Sequence, residues 1–467
     1  MTTDEAEGYL LPCSASFKCI DRFSILDDPE DFEDADGQVP FWPLFTTLLR
    51  SPVKTPAQLT ELLDTIAVTL RDSSGSAGDY ELLKSFIGAS QPEFCDRYWP
   101  SIVLLALELP QHFPHGTLPV LGTEDSESTL KLSSRQVASL VVHQFLCTLR
   151  APVWREEFFD FSIWYASGQR HEEACWIDLT CLFTYLETSL PTSKKSQEDR
   201  YITYTLITTE PGYAALSSSP IPLSPIEITV VDSYQTNPEQ LGLPSGAAVV
   251  SAHRYIGFGQ SATQEEVHVG SSPEACPAVL ITPPLGANQV LVVRGVEAVM
   301  NITGQRRDIK VMAQDDKEGR ADWRQRTMLF MDALELDVED DETGLPDLEP
   351  DHLAREINKA AIAFSSGPYD VVWSPLWGCG AFGGDPFVKV ALLWCAASRA
   401  HVPLKVSCDR GSRELASSLH SLVVAIKGRI ETAQDLLGLL RSVPRKTARL
   451  KTLDRMMERL ELRDRVL

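Results

Sequence analysis

Residues 369–400 constrain the fold of this chain more than any other stretch. YDVVW (369–373) has strand character and is followed by a glycine-rich turn, WGCGAFGGDPF (377–387). FVKVALLWCAASRA (387–400) then reads as a helix. Asp385 is a natural N-cap and Pro386 suits the first helical position. Such a turn aims several backbone N–H groups and the positive helix end at one point, and phosphate is the ligand that this favours. Gly378, Gly380 and Gly383 also satisfy GxGxxG, the dinucleotide fingerprint of an oxidoreductase. That pattern needs an acid about 20 residues on, after a strand, and here the nearest is the later Asp409. A purely structural tight turn is the remaining reading.

Short β-rich runs precede this unit: IEITVVD (226–232), AAVVS (247–251), AVLIT (278–282) and QVLVV (289–293). Helical patterns follow in RADWRQRTMLFMDALEL (320–336) and HLAREINKAAIAF (352–364), and a last strand near LKVS (404–407). Strands interleaved with helices predict a layered α/β domain with a mixed sheet over 201–440. Residues 41–200 read as a helical domain. Its best helix is SSRQVASLVVHQFLCTL, with a Ser133–Gln136 capping box and Val137, Leu140, Val141 and Phe145 on one face. SSGSAG (73–78) reads as a loop, and the polar PTSKKSQEDR (191–200) marks a boundary. Residues 1–40 read as an acidic flexible tail, and the acidic run Asp332–Asp351 as a solvated loop. Residues 441–467 hold nine Lys/Arg against four Asp/Glu and read as a basic helix, with Leu450, Leu453, Met457 and Leu460 on its apolar stripe.

Charge narrows the partners. Forty-two Lys+Arg against 65 Asp+Glu give a net charge of -23, which argues against general or sequence-specific nucleic-acid binding. A polyanion would need a local site. The ten cysteines form no CxxC pair, the closest being Cys13 with Cys19 and Cys175 with Cys181, and the nine histidines form no HExxH. No metal and no cofactor is therefore expected. The acidic N-terminus lacks signal-peptide character and no apolar run approaches 18 residues, so the expectation is an intracellular protein away from the membrane.

A second glycine-containing segment, HRYIGFGQSATQEEVHVG (253–270), ends in adjacent Glu265 and Glu266. Two carboxyls that close cannot both ionise freely once desolvated, so one holds a proton near neutral pH. A protonated carboxyl beside an ionised one is what acid/base cleavage of a glycosidic bond requires. The bland alternative is a solvated surface pair. Cys379, between two glycines, invites a thiol-nucleophile reading, against that of a small residue in a tight loop.

Together the two segments resemble the poly(ADP-ribose) glycohydrolase family, in a divergent, fungal-like form. Gly257, Gly259, Gln264, Glu265 and Glu266 match the family's Gly-x-Gly loop and Gln-Glu-Glu, and WGCGAFGGD at 377–385 matches letter for letter. The resemblance extends to RADWRQRTMLFMDAL and to LKLSSRQVASLVVHQFLCTL. It implies a macrodomain-like mixed sheet flanked by helices, with an N-terminal helical accessory domain. It also implies hydrolysis of the ribose–ribose bonds of poly(ADP-ribose), with poly(ADP-ribosyl)ated proteins as partners, in nucleus or cytoplasm. Glu266 would be the acid/base and Glu265 would hold the ribose. Gly378, Gly380, Ala381, Phe382 and Gly383 would wrap the diphosphate, and Gln264, His253, Gly257, Phe258 and Gly259 would line the same cleft. Where the family has a supporting Asp this chain has Val250, and His253 stands for an Asn. The family's adenine-covering aromatics are absent, Ser407 and Cys408 lying where one is expected; Phe258 or Tyr255 could substitute. A catalytically inactive ADP-ribose-binding module is the alternative.

Overall fold

The computed structural model describes residues 8–26, 33–70, 78–189, 200–210, 220–231, 239–312, 322–337 and 344–464. Eight strands form the main sheet: β1 (Glu127–Ser133), β2 (Tyr201–Thr208), β3 (Ile226–Val230), β4 (Ala247–Ala252), β5 (Gln289–Val296), β6 (Arg326–Asp332), β7 (Val372–Ser374) and β8 (Leu404–Cys408). Their spatial order is β1-β2-β5-β6-β4-β7-β8-β3. The pairs from β1 to β6 are antiparallel, and those from β6 through β4, β7 and β8 to β3 are parallel.

Alternate residues on the central strands feed two cores, as the two-residue period of a strand requires. Val250, Leu291, Val293, Met328 and Phe330 face one core, shared with helices α1 (Phe41–Leu48), α2 (Pro56–Leu70), α3 (Glu81–Ser90), α4 (Trp99–Leu107), α5 (Ser134–Phe145) and α6 (Glu172–Ser189). Val249, Val290, Val292, Leu329 and Met331 face the other. That core is closed by α8 (Pro350–Phe364), α9 (Pro386–Arg399), α10 (Arg413–Lys427), α11 (Ala433–Ser442) and α12 (Thr452–Asp464). A short helix α7 (Gln264–Gly270) follows β4. The Ser133–Gln136 capping box opens α5.

Several expectations are corrected. AVLIT is a buried helical turn, Ala278–Ile281, because Pro277 before it already holds helical φ and ψ, and a short apolar run carries no periodicity to decide the matter. In the run from Asp322, one 3₁₀ turn (Asp322–Gln325) leads into β6, not a helix; residues 320–321 lie outside the described residues. All seven β6 residues are buried, and burial on both faces erases the alternation that marks a strand. Within 1–40, the described residues are packed: Tyr9, Leu11, Phe17 and Val39 are core, and the Phe17 and Phe41 rings lie 5.6 Å apart. Residues 1–7 and 27–32 of the expected tail lie outside the description, as do 73–77 of the loop and 191–199 of the boundary. The helical half contributes β1 to the sheet and shares its core, so 41–200 is not purely helical. In the acidic run, Asp332 and Asp347 are buried in ion pairs; residues 338–343 lie outside the description. On α12 the buried apolar residues are Met456 and Leu460, flanked by Leu453 and Met457, whereas Leu450 precedes the helix and is fully exposed.

Candidate active site

Both glycine-rich turns leave the sheet at the C-terminal ends of neighbouring parallel strands, where α/β sheets bind ligands. The first joins β4 to α7. Thr263 caps α7: its hydroxyl accepts from the Glu266 N–H, and the Glu266 Oε2 accepts from the N–H groups of Thr263 and Ser261, each at 2.9 Å. The sequence T-Q-E-E is thus a capping box whose acid is the predicted catalytic residue. The Glu266 carboxyl is half-buried and its Oε1 lies directly over the Gly259 Cα; any β-carbon at 259 would collide with it.

Glu265 points the other way into the loop. Its Oε2 accepts from the His253 N–H (2.8 Å) and its Oε1 from the Gly257 N–H (2.7 Å). These donors favour the carboxylate, but burial outweighs them and pushes the Glu265 carboxyl up to about 8. Burial thus retains a proton on Glu265; the sequence leaves open which carboxyl of the adjacent pair does so. Gln264 is occupied structurally: its Oε1 accepts from Ser251 N–H and its Nε2 donates to the Val249 carbonyl, sealing the edge of β4 beyond its pairing with β7. It also borders a small cavity at the strand ends with Val231, Trp373 and Ser407. Phe258 is withdrawn from the cleft, buried with its ring 5.3 Å from both Phe161 and Trp164, and cannot cover an adenine. His253 and Tyr255 are exposed.

The helical half reaches this turn with three residues that no sequence pattern announced. Trp164 Nε1 donates to the Gly259 carbonyl at 2.7 Å. Arg155, buried, donates to the Ile256 and Phe158 carbonyls beside Glu265. Asp178 on α6 abuts Gly270, one helical turn along α7 from Glu266, and burial followed by the Glu266 charge holds its carboxyl well above the usual carboxylate range. Single buried charges on helices carry no signature beyond their type, so only the fold reveals them.

The second turn joins β7 to α9. Gly378 has φ +73 and packs against Ala333 and Lys389, a place that a side chain could take neither sterically nor conformationally. Gly384 N–H bonds the Gly378 carbonyl, and Asp385 caps Phe387 and Val388. Among the described residues the N–H groups of Gly380, Ala381 and Phe382 have no partner, and a β-carbon on Gly380 would meet open space. Beneath runs a buried ionic chain in which Asp332 pairs with Lys359 and Arg355, Arg355 with Glu356, Glu356 with Lys389, and Lys389 lies 3.9 Å from Asp347. From the C-terminal segment, Arg449 donates to the Gly383 carbonyl and Thr452 to Asp385 Oδ2. Burial pushes the Cys379 thiol up, the reverse of an activated nucleophile. Among the described residues no three His, Cys, Asp or Glu side chains are grouped to hold a metal, and no helix is long and apolar enough to cross a membrane.

Comparison with known proteins decides the family. The model of the helical domain of poly(ADP-ribose) glycohydrolase matches residues 88–205, and that of its macro domain fold matches 216–415. The chain belongs to the poly(ADP-ribose) glycohydrolase family. Among curated relatives, a probable poly(ADP-ribose) glycohydrolase 2 of Arabidopsis thaliana is 24% identical over 234 residues, 40% of this chain and 43% of that protein. Poly(ADP-ribose) glycohydrolase 1 of Caenorhabditis elegans is 25% identical over 208 residues, 41% of this chain and 26% of its own length. The alignments thus span less than half of either relative. Among solved structures, the glycohydrolase of Thermomonospora curvata has a TM-score of 0.29 at 15% identity, covering 45% of this chain and 84% of that one. A macrodomain mutant from Oceanobacillus iheyensis has a TM-score of 0.29 at 11%, covering 47% and 97%. The mixed sheet with helices on both faces and the helical N-terminal part are those of the family.

Proposed function

We propose that this glycohydrolase-family chain cleaves the ribose–ribose O-glycosidic bonds of poly(ADP-ribose) and releases ADP-ribose. The observation that carries the reading is the adjacency of two unlike turns, one presenting paired carboxyls and the next presenting unspent N–H groups. The strand order supports a ligand path: base toward the cavity at the ends of β7 and β8, diphosphate on Gly380–Phe382, distal ribose at Glu265 and Glu266. N–H recognition suits a chain of net charge -23, because it binds a polyanion without a basic surface.

In this reading Glu265, fixed by two N–H donors, holds the ribose. Glu266 as a carboxylic acid gives its proton to the departing ribose oxygen while the C1″–O bond breaks. As carboxylate it then takes a proton from the water that attacks C1″, and both products leave as alcohols. Val250, fully buried, cannot support the pair as the family's Asp would; in this reading the buried Asp178, which feels the Glu266 charge, takes that duty.

The second reading is an inactive ADP-ribose binder, and two observations favour it: Val250 at the Asp position, and the engagement of Glu266 Oε2 in the capping box. Release of ADP-ribose from purified polymer separates the two. Under hydrolysis, Glu266→Gln lowers turnover by roughly 10²–10⁴-fold and leaves ADP-ribose affinity within a few-fold. A wild type that binds ADP-ribose yet releases none establishes the binder.

A further inference from the structure

Three consecutive side chains after β4 lie on the surface: His253, Arg254 and Tyr255. Tyr255 is 42% exposed, and its ring stacks on His253 with centroids 5.6 Å apart and planes 24° from parallel. The Arg254 guanidinium sits 5.5 Å from the Tyr255 centroid. Across the cleft the Phe382 ring of the diphosphate turn lies 6.2 Å from His253. Among the described residues no carboxylate pairs with Arg254, whereas Glu335 stands 3.4 Å from His253 Nε2.

Two features separate this row from incidental surface aromatics. It is rigid: the Tyr255 N–H donates to His253 Nδ1 (3.2 Å), Glu265 holds the N–H groups on either side, and the Arg254 carbonyl accepts from Leu285 N–H. It also stands outside the core: all three side chains are exposed, while Phe258 in the same loop is buried. A pre-organised ring stack flanked by an uncompensated guanidinium is the arrangement that receives a nucleobase and a neighbouring phosphate.

We propose that Tyr255, with His253 and Arg254, is a docking platform for the purine and adjoining phosphate of the polymer unit on the leaving side of the scissile bond. The inference rests on the reading of the site given above and extends it. The unit being released has its own base beyond β7, toward β8 and β3; the platform lies on the β4 side, next to the carboxyls. A ring there meets the adenine carried by the departing ribose, so the platform favours polymer over free ADP-ribose.

The test is run in a Glu266→Gln background, so that oligomers survive the titration. ADP-ribose and a short purified poly(ADP-ribose) oligomer are titrated against this protein and against it with Tyr255→Ala or Tyr255→Phe added. The platform predicts that the oligomer binds tighter than the monomer. Tyr255→Ala then weakens the oligomer by roughly tenfold, the range of base–aromatic stacking, without moving the monomer, and Tyr255→Phe restores it. An equal loss for both ligands overturns the proposal by placing Tyr255 on the bound unit's own base. No loss for either overturns it outright. Absence of binding by both ligands before Tyr255 is changed sinks the reading of the site itself, a different failure from the other two.

Discussion

The two glycine-rich turns are built alike, strand to turn to helix, and spend their glycines in opposite ways. In the turn after β4 the missing side chains admit the protein's own groups: Gly259 makes room for the Glu266 carboxyl, and Gly257 for Val279 and Arg155. Its N–H groups at 253, 257, 261 and 263 are already bonded to the two glutamates. In the turn after β7, Gly378 fits the loop to Lys389, but Gly380 faces open space and three successive N–H groups are unspent. One turn is filled by the protein's own carboxyls and the other leaves its N–H groups open, so in the proposed reading the first is a holder and the second a receptor. Similar glycine content therefore says nothing about which role a turn has; what fills the vacated volume does.

The comparison breaks most sharply with a methyl group. Gly259→Ala drives the Glu266 carboxyl off its two N–H donors, and because the displaced atoms are the end of a flexible side chain, the fold survives. A shift of about 1 Å in a reacting group costs about a hundredfold, so the expected result is that loss in turnover with ADP-ribose affinity kept. If turnover is unchanged, Glu266 is not the reacting group in this position. Gly380→Val sharpens the other side. Its side chain enters empty space, so thermal stability stays at the wild-type value, while phosphate can no longer reach the N–H groups. Loss of one hydrogen bond to a charged partner is about 1.5–3 kcal/mol, which predicts ADP-ribose binding weakened by ten- to a hundredfold in calorimetry. Unaltered affinity would remove the diphosphate from this turn.

Proton linkage separates the turns next. Glu265 titrates near 4.5 unfolded and, raised by burial, near 8 folded. Between those values the folded state retains a proton that the unfolded state has released. Glu265 is thus most favourable to folding below pH 4.5, and its contribution is lost as pH rises through 8, at up to about 1.4 kcal/mol per pH unit. Glu265→Gln, which cannot ionise, should lose less stability than wild type when denaturant melts are compared at pH 5 and pH 8.5. Equal pH dependence would show that Glu265 is ionised in the fold across this range.

The receptor turn was legible in the sequence almost completely, because its information is local: three glycines, an N-cap Asp and a Pro at N1 lie within ten residues and act through backbone geometry. The holder turn was legible only in part. Glu265 and Glu266 are legible as an adjacent pair, but which of them burial protonates is not, since that depends on how the fold encloses Glu265, with Arg155 about a hundred residues upstream packed beside it. The same reason explains β6. Its buried faces are set by β5, β4 and both cores, and nothing within RTMLFMD distinguishes a strand covered twice from a helix. Phe258 reads as a cleft residue in the sequence because an aromatic in a glycine loop suits either a ligand or a core, and Phe161 and Trp164 claim it.

Each turn is also tied from outside by a side-chain hydrogen bond to a glycine carbonyl: Trp164 to Gly259 in the holder, Arg449 to Gly383 in the receptor. Arg449 lies beyond residue 415, where the family's macro domain match ends, so this tie comes from the segment that follows the match. Removing either leaves a carbonyl without its donor, at a cost of about 1 kcal/mol, or roughly fivefold. The division of labour predicts where that small loss appears. Trp164→Phe should lower the rate of release with ADP-ribose affinity unchanged, whereas Arg449→Leu should weaken ADP-ribose and leave the rate at saturating polymer intact. If both variants lower the same parameter, the two turns act as a single mechanical unit, and the distinction between holder and receptor fails.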